Sequence, residues 1–158
     1  MRVLGFFTAL FLIVACAGSS TDRVDVPSLT PEIGLPPLPD LDFSQVVRGA
    51  ELYTQYCAEC HRPDLSGDPD WKTPADDGGF RPPPQDPSGH TWHHPDDLLV
   101  EIVLRGYDPP VAESRMSQFA GTLTEDDVLA ILDYIKTSWG RDERLYQWEQ
   151  TVRAQTDG

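Results

Sequence analysis

The feature that most constrains this 158-residue chain is one pentapeptide, Cys57-Ala58-Glu59-Cys60-His61. Two thiols separated by two residues, with a histidine directly after the second, are typical of a covalent haem attachment site. At a helix end both thiols would lie on one face, spaced to form thioethers with the two vinyl groups of a porphyrin. His61 would then lie under the ring as an iron ligand. The pattern predicts one covalently bound haem.

Two other interpretations of the thiol pair stay open. A redox dithiol would need a thioredoxin-like βαβ pattern around it, and the flanking sequence shows none. A structural zinc site would need four ligands, usually from a second cysteine or histidine pair. The only other cysteine is Cys16, and the sequence around it indicates a different use.

Residues 1–15 are predicted to be a signal peptide of the lipoprotein type. Arg2 precedes an apolar run that is too short to span a bilayer. The run ends in the tetrapeptide I-V-A-C, which resembles the lipobox of bacterial lipoproteins. This resemblance implies a lipidated Cys16 at the mature N-terminus and an exported bacterial protein, anchored to a membrane and facing the periplasm or the cell exterior. An A-C-A sequence at the same place also fits cleavage to a soluble protein.

Residues 16–43 are expected to form a tether that follows the lipidated cysteine. Five prolines lie between residues 27 and 39, and prolines at this density favour extended, semi-rigid polyproline structure over helix.

The chain is strongly acidic, with a formal net charge of −14. This charge disfavours nucleic acid as a partner, because the phosphate backbone would repel the surface. It favours redox partner proteins with a basic docking face, since complementary charge speeds encounter. Acidity also serves solubility alone, and charge does not decide between the two.

Hydrophobic spacing predicts helices rather than strands in the rest of the chain. The first runs over residues 44–57 with Ser44 as its N-cap, the second over 95–105, and the third follows Thr124 to about residue 136. Gly140 ends this part. Residues 141–154 predict an extra polar helix that carries Leu145, Trp148 and Val152 at helical spacing.

Residues 44–139 resemble a class I monohaem cytochrome c. In that family a glycine and an aromatic residue on the first helix meet a branched apolar residue and an aromatic on the last. Gly49 and Tyr53 match the first pair, and Ile131 and Tyr134 match the second. The resemblance implies an all-α fold, with three main helices and long loops around one haem c, here followed by a C-terminal helical extension over residues 140–158.

The resemblance also implies a second axial ligand to the haem iron, opposite His61. Met116 is the only methionine besides the initiator and lies between the second and third helices. The family often has Met-Pro-x-Phe at this place. Here the serine after Met116 replaces the proline, although Phe119 is retained, so the loop is expected to be less rigid.

Two further stretches lie in the loop between residues 62 and 94. The family uses a proline-rich turn whose carbonyl accepts a hydrogen bond from the axial imidazole, and Pro82-Pro83-Pro84 offers three candidates. The histidines in G-H-T-W-H-H are not explained by the family; they are His90, His93 and His94. They fit a polar loop, a contact with a haem propionate, an alternative iron ligand, or a site for copper or another divalent ion.

The function expected from these features is electron transfer, not enzymatic catalysis. With His61 and Met116 both on the iron, the haem would cycle between Fe(II) and Fe(III) and pass single electrons between partners of a respiratory-type chain. Two alternatives remain: a haem subunit of an enzyme or a ligand sensor with a labile Met116, and a metal-handling protein that uses the histidine loop.

Overall fold

The computed structural model describes residues 34–106 and 116–157. The predicted signal peptide and Cys16 lie outside the described residues. The helices are α1 (Phe43–Tyr56), α2 (Ala58–His61), a 3-10 helix (Thr91–His93), α3 (Asp96–Arg105), α4 (Glu125–Lys136) and α5 (Arg141–Asp157). Within the described ranges there is no strand, and one isolated β-bridge joins Ala120 to Leu123. The all-α prediction is confirmed.

Helices α1 and α4 cross at a very close contact. Gly49 is buried in α1, and a Cβ added there would overlap the main-chain carbonyl of Ala130 on α4. One turn further along α1, Tyr53 is 1% exposed, and its ring centroid lies 5.3 Å from that of Tyr134. The predicted helix pair is therefore present, and only glycine lets the two backbones approach so closely.

The N-cap prediction for α1 was wrong by two residues. Asp42 caps the helix, and its Oδ1 accepts hydrogen bonds from the backbone N–H groups of Ser44 at 2.7 Å and Gln45 at 3.4 Å. The Ser44 hydroxyl donates to the same carboxylate oxygen at 2.6 Å. A carboxylate is the stronger acceptor at the positive end of a helix, so aspartate takes the capping position and serine adds to it.

The starts of α3 and α4 agree with their sequence signals. Pro95 precedes α3 in an extended conformation, and Gly106 ends that helix with a φ of 79°. Thr124 and Asp127 form a capping box on α4: the threonine hydroxyl accepts from the backbone N–H of Asp127, whose carboxylate accepts from the backbone N–H of Thr124.

The buried core lies between the helices and the long loop. It is formed by Tyr53, Leu65, Leu99, Val100, Leu123, Val128, Ile131, Leu132, Ile135 and Trp139. Cys57, Trp92 and Phe119 are partly buried against it. The C-x-x-C-H motif, the loop after it and the segment that precedes α4 therefore contact one apolar cluster.

The most buried side chains of helix α5 are polar. Gln147 and Thr151 are each 2% exposed, whereas Leu145 is 37% exposed. The helix predicted over residues 141–154 is present, and of the three apolar residues at helical spacing Leu145 is exposed. Hydrogen bonds to α3 determine which face of α5 packs against the rest of the chain. The local spacing of hydrophobic residues does not predict such bonds.

Part of the predicted tether lies against α5. Trp148 Nε1 donates to the Pro36 carbonyl at 2.9 Å, and Arg144 donates to the Pro39 carbonyl at 2.7 Å. The two acceptors are three residues apart, which is one turn of a polyproline helix. Among the residues described, no helix has the length and apolar character needed to cross a membrane.

Candidate haem-binding site

The motif sits where two helices meet. Cys57 ends α1 and begins α2, and its carbonyl accepts hydrogen bonds from the backbone N–H of Cys60 at 3.2 Å and of His61 at 2.9 Å. Cys57 is half-buried, Cys60 is exposed, and neither is in a disulfide. The two thiols and the imidazole are therefore carried by a single turn of helix.

Neither competing use of the thiols is supported. Burial, followed by the charge of Cys60, raises the pKa of the Cys57 thiol to about 11, whereas redox-active thiols have lowered pKa values. Across residues 34–106 and 116–157, no group of three or more histidine, cysteine, aspartate or glutamate side chains is placed to hold a metal ion.

The structure selects Pro83 from the three candidate prolines. Its carbonyl oxygen lies 2.9 Å from Nδ1 of His61. A carbonyl only accepts, so Nδ1 carries the hydrogen and Nε2 keeps its lone pair for a metal. Burial lowers the pKa of His61, and the Pro83 hydrogen bond partly offsets this. The lowered pKa favours the neutral imidazole, the form that binds a metal.

The Pro83 carbonyl is held in place by main-chain contacts. The backbone N–H of Asp68 donates to the Pro82 carbonyl at 2.8 Å, and that of Gln85 donates to the Leu65 carbonyl at 2.7 Å. Gly67 lies between Leu65 and Asp68 in the sequence and has a φ of 61°. A Cβ added to it would come within 2.5 Å of the Pro83 carbonyl carbon. A glycine at this position allows the two segments to pack directly on each other.

Gln85 and Thr91 are site residues that the sequence did not single out. The Gln85 amide nitrogen lies 3.0 Å from Nδ1 of His61, and the Thr91 hydroxyl lies 2.8 Å from Gln85 Oε1. Trp139 Nε1 donates to the Gln85 carbonyl at 2.8 Å. Thr91 is 7% exposed although it lies in a polar loop. A glutamine directly after the proline run was the one available signal.

The segment that carries Met116 is attached beside the motif. The backbone N–H groups of Phe119 and Ala120 donate to the α3 carbonyls of Val103 and Leu104, at 3.1 and 2.9 Å. The Phe119 ring packs edge-on against Tyr56, the residue before Cys57, with a centroid separation of 6.1 Å. Met116 itself is half-buried. Its role as an iron ligand stays a prediction.

The three histidines after Gly89 make ring contacts. His90 stacks on Trp71 with centroids 5.3 Å apart and lies edge-on to His94 at 5.4 Å, while His93 packs against Trp92 at 3.8 Å. Burial lowers the pKa values of His90 and His94, and neighbouring histidines lower them further. These contacts favour the polar-loop interpretation.

Two buried donors fit a haem group. Trp92 Nε1 and Arg81 Nε are buried without a hydrogen-bond partner in the described part of the chain, which is costly unless a ligand accepts from them. Haem carries two carboxylates, and Arg81 is two residues from the Pro83 that orients His61. The residues present therefore fit the group.

An all-α domain with a C-x-x-C-H helix end, an oriented histidine and unpaired buried donors defines the class of proteins that hold haem covalently. The family model for cytochrome c matches residues 46–139, more than half of the chain. The chain belongs to the cytochrome c family. It is therefore a c-type cytochrome, with haem c as its cofactor.

The chain is also similar to Photosystem II extrinsic protein V of Synechococcus sp. (strain JA-3-3Ab). The two are 26% identical over 129 residues, which cover 80% of this chain and 51% of the relative. The chain thus spans about half the length of this curated relative. No solved structure gives a significant match.

Proposed function

We propose that the protein is a membrane-anchored one-electron carrier with a single six-coordinate haem. In this proposal Cys57 and Cys60 form the thioethers, His61 is the proximal ligand and Met116 the distal one. The observation that supports it best is the 2.9 Å hydrogen bond from His61 Nδ1 to the Pro83 carbonyl. It fixes the tautomer that leaves Nε2 available to iron.

The protein's own residues would bind the group, orient it and exclude water. When bound, the haem supplies one-electron chemistry, since its iron alternates between Fe(II) and Fe(III). The thiols of Cys57 and Cys60 would fix its position on α2, and Trp92 would donate to a carboxylate. With His61 and Met116 as ligands no coordination position stays open, which favours electron transfer over small-molecule chemistry.

The proposed anchor is a lipid on Cys16 after removal of residues 1–15. Residues 16–43 would connect it to a haem domain over residues 44–139, with residues 140–158 as an extension. Support for this proposal comes from the lipobox-like sequence and from the hydrogen bonds of Pro36 and Pro39 to α5.

The proposed partners are redox proteins with a basic docking face, in a respiratory-type chain. The net charge of −14 supports this, as do the acidic first turns of α3, α4 and α5. The name of the similar Synechococcus protein describes an extrinsic component of a photosystem, which supports a partner that is itself a membrane complex. Electron transfer to such a partner is expected to slow as salt is added.

The test of iron ligation is the visible and near-infrared spectrum of the holoprotein in both oxidation states, with and without carbon monoxide. Wild type is expected to show the far-red methionine-to-iron charge-transfer band of the ferric form and to bind no carbon monoxide. Met116→Ala should lose the band and bind carbon monoxide. Gln118→Ala, an exposed position in the same segment, is the matched control and should behave as wild type.

Wild-type protein that already binds carbon monoxide would contradict the carrier and support the sensor or enzyme-subunit alternative with a labile Met116. A bis-histidine spectrum that Met116→Ala leaves unchanged would contradict the distal assignment.

The anchor is tested separately in a bacterial host. Wild-type protein should fractionate with membranes and enter the detergent phase, whereas Cys16→Ser should not be lipidated. An intact mass that shows cleavage after Ala17 without acyl chains would contradict the anchor and support the soluble alternative.

A further inference from the structure

We propose that Gln85 is a positioning residue for the axial imidazole. Its side chain would act as a second acceptor, beside Pro83, for the Nδ1–H of His61, and Thr91 would hold it there. The inference rests on the proposed ligation by His61. It gives a role to Thr91, a residue of the G-H-T-W-H-H stretch that the family resemblance leaves unexplained.

The side chain of Gln85 bridges the axial histidine and the histidine loop. Its amide nitrogen lies 3.0 Å from His61 Nδ1, and its amide oxygen lies 2.8 Å from the Thr91 hydroxyl. Thr91 is buried, at 7% exposed, so its hydroxyl needs an internal partner. Gln85 is that partner.

Hydrogen-bond complementarity decides which end of the Gln85 amide faces His61. Nδ1 already carries its hydrogen, because the Pro83 carbonyl only accepts. An amide N–H directed at Nδ1 would therefore meet another donor. With the amide turned by 180°, its oxygen accepts from Nδ1–H and its nitrogen donates to the Thr91 hydroxyl. The donor on Nδ1 then faces an acceptor, and the side chains of Gln85 and Thr91 stay hydrogen-bonded to each other.

Main-chain contacts hold Gln85 at both ends. Its N–H donates to the Leu65 carbonyl at 2.7 Å, and its carbonyl accepts from Trp139 Nε1 at 2.8 Å. Trp139 follows α4 and is 5% exposed. Because these bonds use the backbone, replacing the side chain leaves them intact. The side chain can thus be varied without releasing the loop.

A second acceptor on Nδ1–H makes the imidazole a stronger electron donor to iron. Second-shell acceptors raise the basicity of a ligating histidine, and a more basic ligand favours Fe(III) over Fe(II). Gln85 is therefore expected to lower the reduction potential, and Thr91 to contribute to that effect by fixing the amide.

The experiment compares midpoint potentials of holoproteins by spectroelectrochemical titration. Gln85→Leu removes the acceptor and should raise the potential, whereas Gln85→Glu supplies a charged acceptor and should lower it. Thr91→Val should shift the potential upward by less than Gln85→Leu. The matched controls are Gln55→Leu and Gln55→Glu, at an exposed position of α1, and Thr122→Val, at an exposed threonine. Their changes in midpoint potential should be smaller.

Nuclear magnetic resonance of the reduced protein gives a second, independent readout. The Nδ1–H resonance of His61 should move upfield and exchange faster with solvent in Gln85→Leu, and it should move downfield in Gln85→Glu. A purely structural role would lower unfolding stability in both variants without this opposed pair of shifts, so thermal unfolding is measured in parallel.

Potentials of the two Gln85 variants that move in the same direction, or no further than the Gln55 controls, would overturn the proposal. Failure of the underlying ligation would look different. In that case wild type itself would lack the low-spin spectrum of a histidine-ligated haem, whatever residue occupies position 85.

Discussion

At the residue scale, Gly49 is a position where one added carbon would strain the contact between two helices. A methyl group there would overlap the Ala130 carbonyl of the facing helix. Such overpacking costs about 1–3 kcal/mol, and alanine returns about 1 kcal/mol through its higher helix propensity. Because the neighbour is backbone and cannot rotate away, we expect Gly49→Ala to lower the free energy of unfolding by about 2 kcal/mol.

Urea unfolding of the holoprotein measures this loss. Gly34→Ala is the matched control, since a Cβ there meets nothing within 4 Å, and it should be neutral. A Gly49→Ala variant as stable as the control would contradict the close crossing of α1 and α4.

Besides His61, the proposed iron ligand, two histidines are expected to make stability depend on pH. Burial lowers the pKa values of His90 and His94 in the folded protein, so the unfolded chain binds more protons once pH approaches the ordinary histidine pKa of about 6.5. The histidine contribution to stability is therefore fully present above about pH 6.5, and it is lost as pH falls through that value toward the lowered pKa values of the folded protein.

Holoprotein unfolding between about pH 7.5 and pH 5.5 tests this window. The double variant His90→Gln with His94→Gln should show a shallower decline than wild type. Equal slopes in the two proteins would exclude these histidines as the source.

At the element scale, α5 is attached through a buried polar cluster. Gln147 donates to Asp96 Oδ1 at 2.8 Å, and Lys136 pairs with the same carboxylate at 2.8 Å. The Thr151 hydroxyl accepts from the backbone N–H of Asp96 at 3.1 Å. Side chains from α3, α4 and α5 thus meet at one carboxylate.

Replacing Gln147 by leucine should loosen α5. A hydrogen bond to a charged group contributes about 1.5–3 kcal/mol, so we expect a loss of about 2 kcal/mol in the free energy of unfolding. Gln155→Leu, at an exposed position of the same helix, is the control and should change little. If both variants are equally stable, the cluster does not hold the helix.

At the scale of the whole molecule, α5 ties the N-terminal segment to the haem domain. Removing residues 141–158 would delete the Arg144 and Trp148 donors to the Pro39 and Pro36 carbonyls. We expect limited proteolysis to cut residues 34–42 faster in the truncated protein. Deleting only residues 157–158 should leave the cleavage rate unchanged, and an equally protected segment in both proteins would contradict the tie.

Local sequence was enough for the features that depend on local physics. The C-x-x-C-H spacing, the Thr124 cap and the glycine stop at residue 106 follow from short-range rules, and the match of Gly49 and Tyr53 to the family located the main crossing. Three features depend instead on contacts between residues that are 22 to 55 positions apart in the sequence. They are the hydrogen bond of His61 to Pro83, the contact of His61 with Gln85, and the polar contacts of α5. Local sequence patterns do not predict which distant residues will pair in this way.

The clamped proline segment has a consequence for the speed of electron transfer. The Pro83 carbonyl is fixed by main-chain bonds on both sides and by the close packing of Gly67, so His61, as the proposed iron ligand, would have little freedom to shift when the charge on the iron changes. A site whose dipoles stay in place lowers the reorganisation energy of a one-electron step. In the proposed carrier, little driving force would then be needed for rapid electron exchange in either direction.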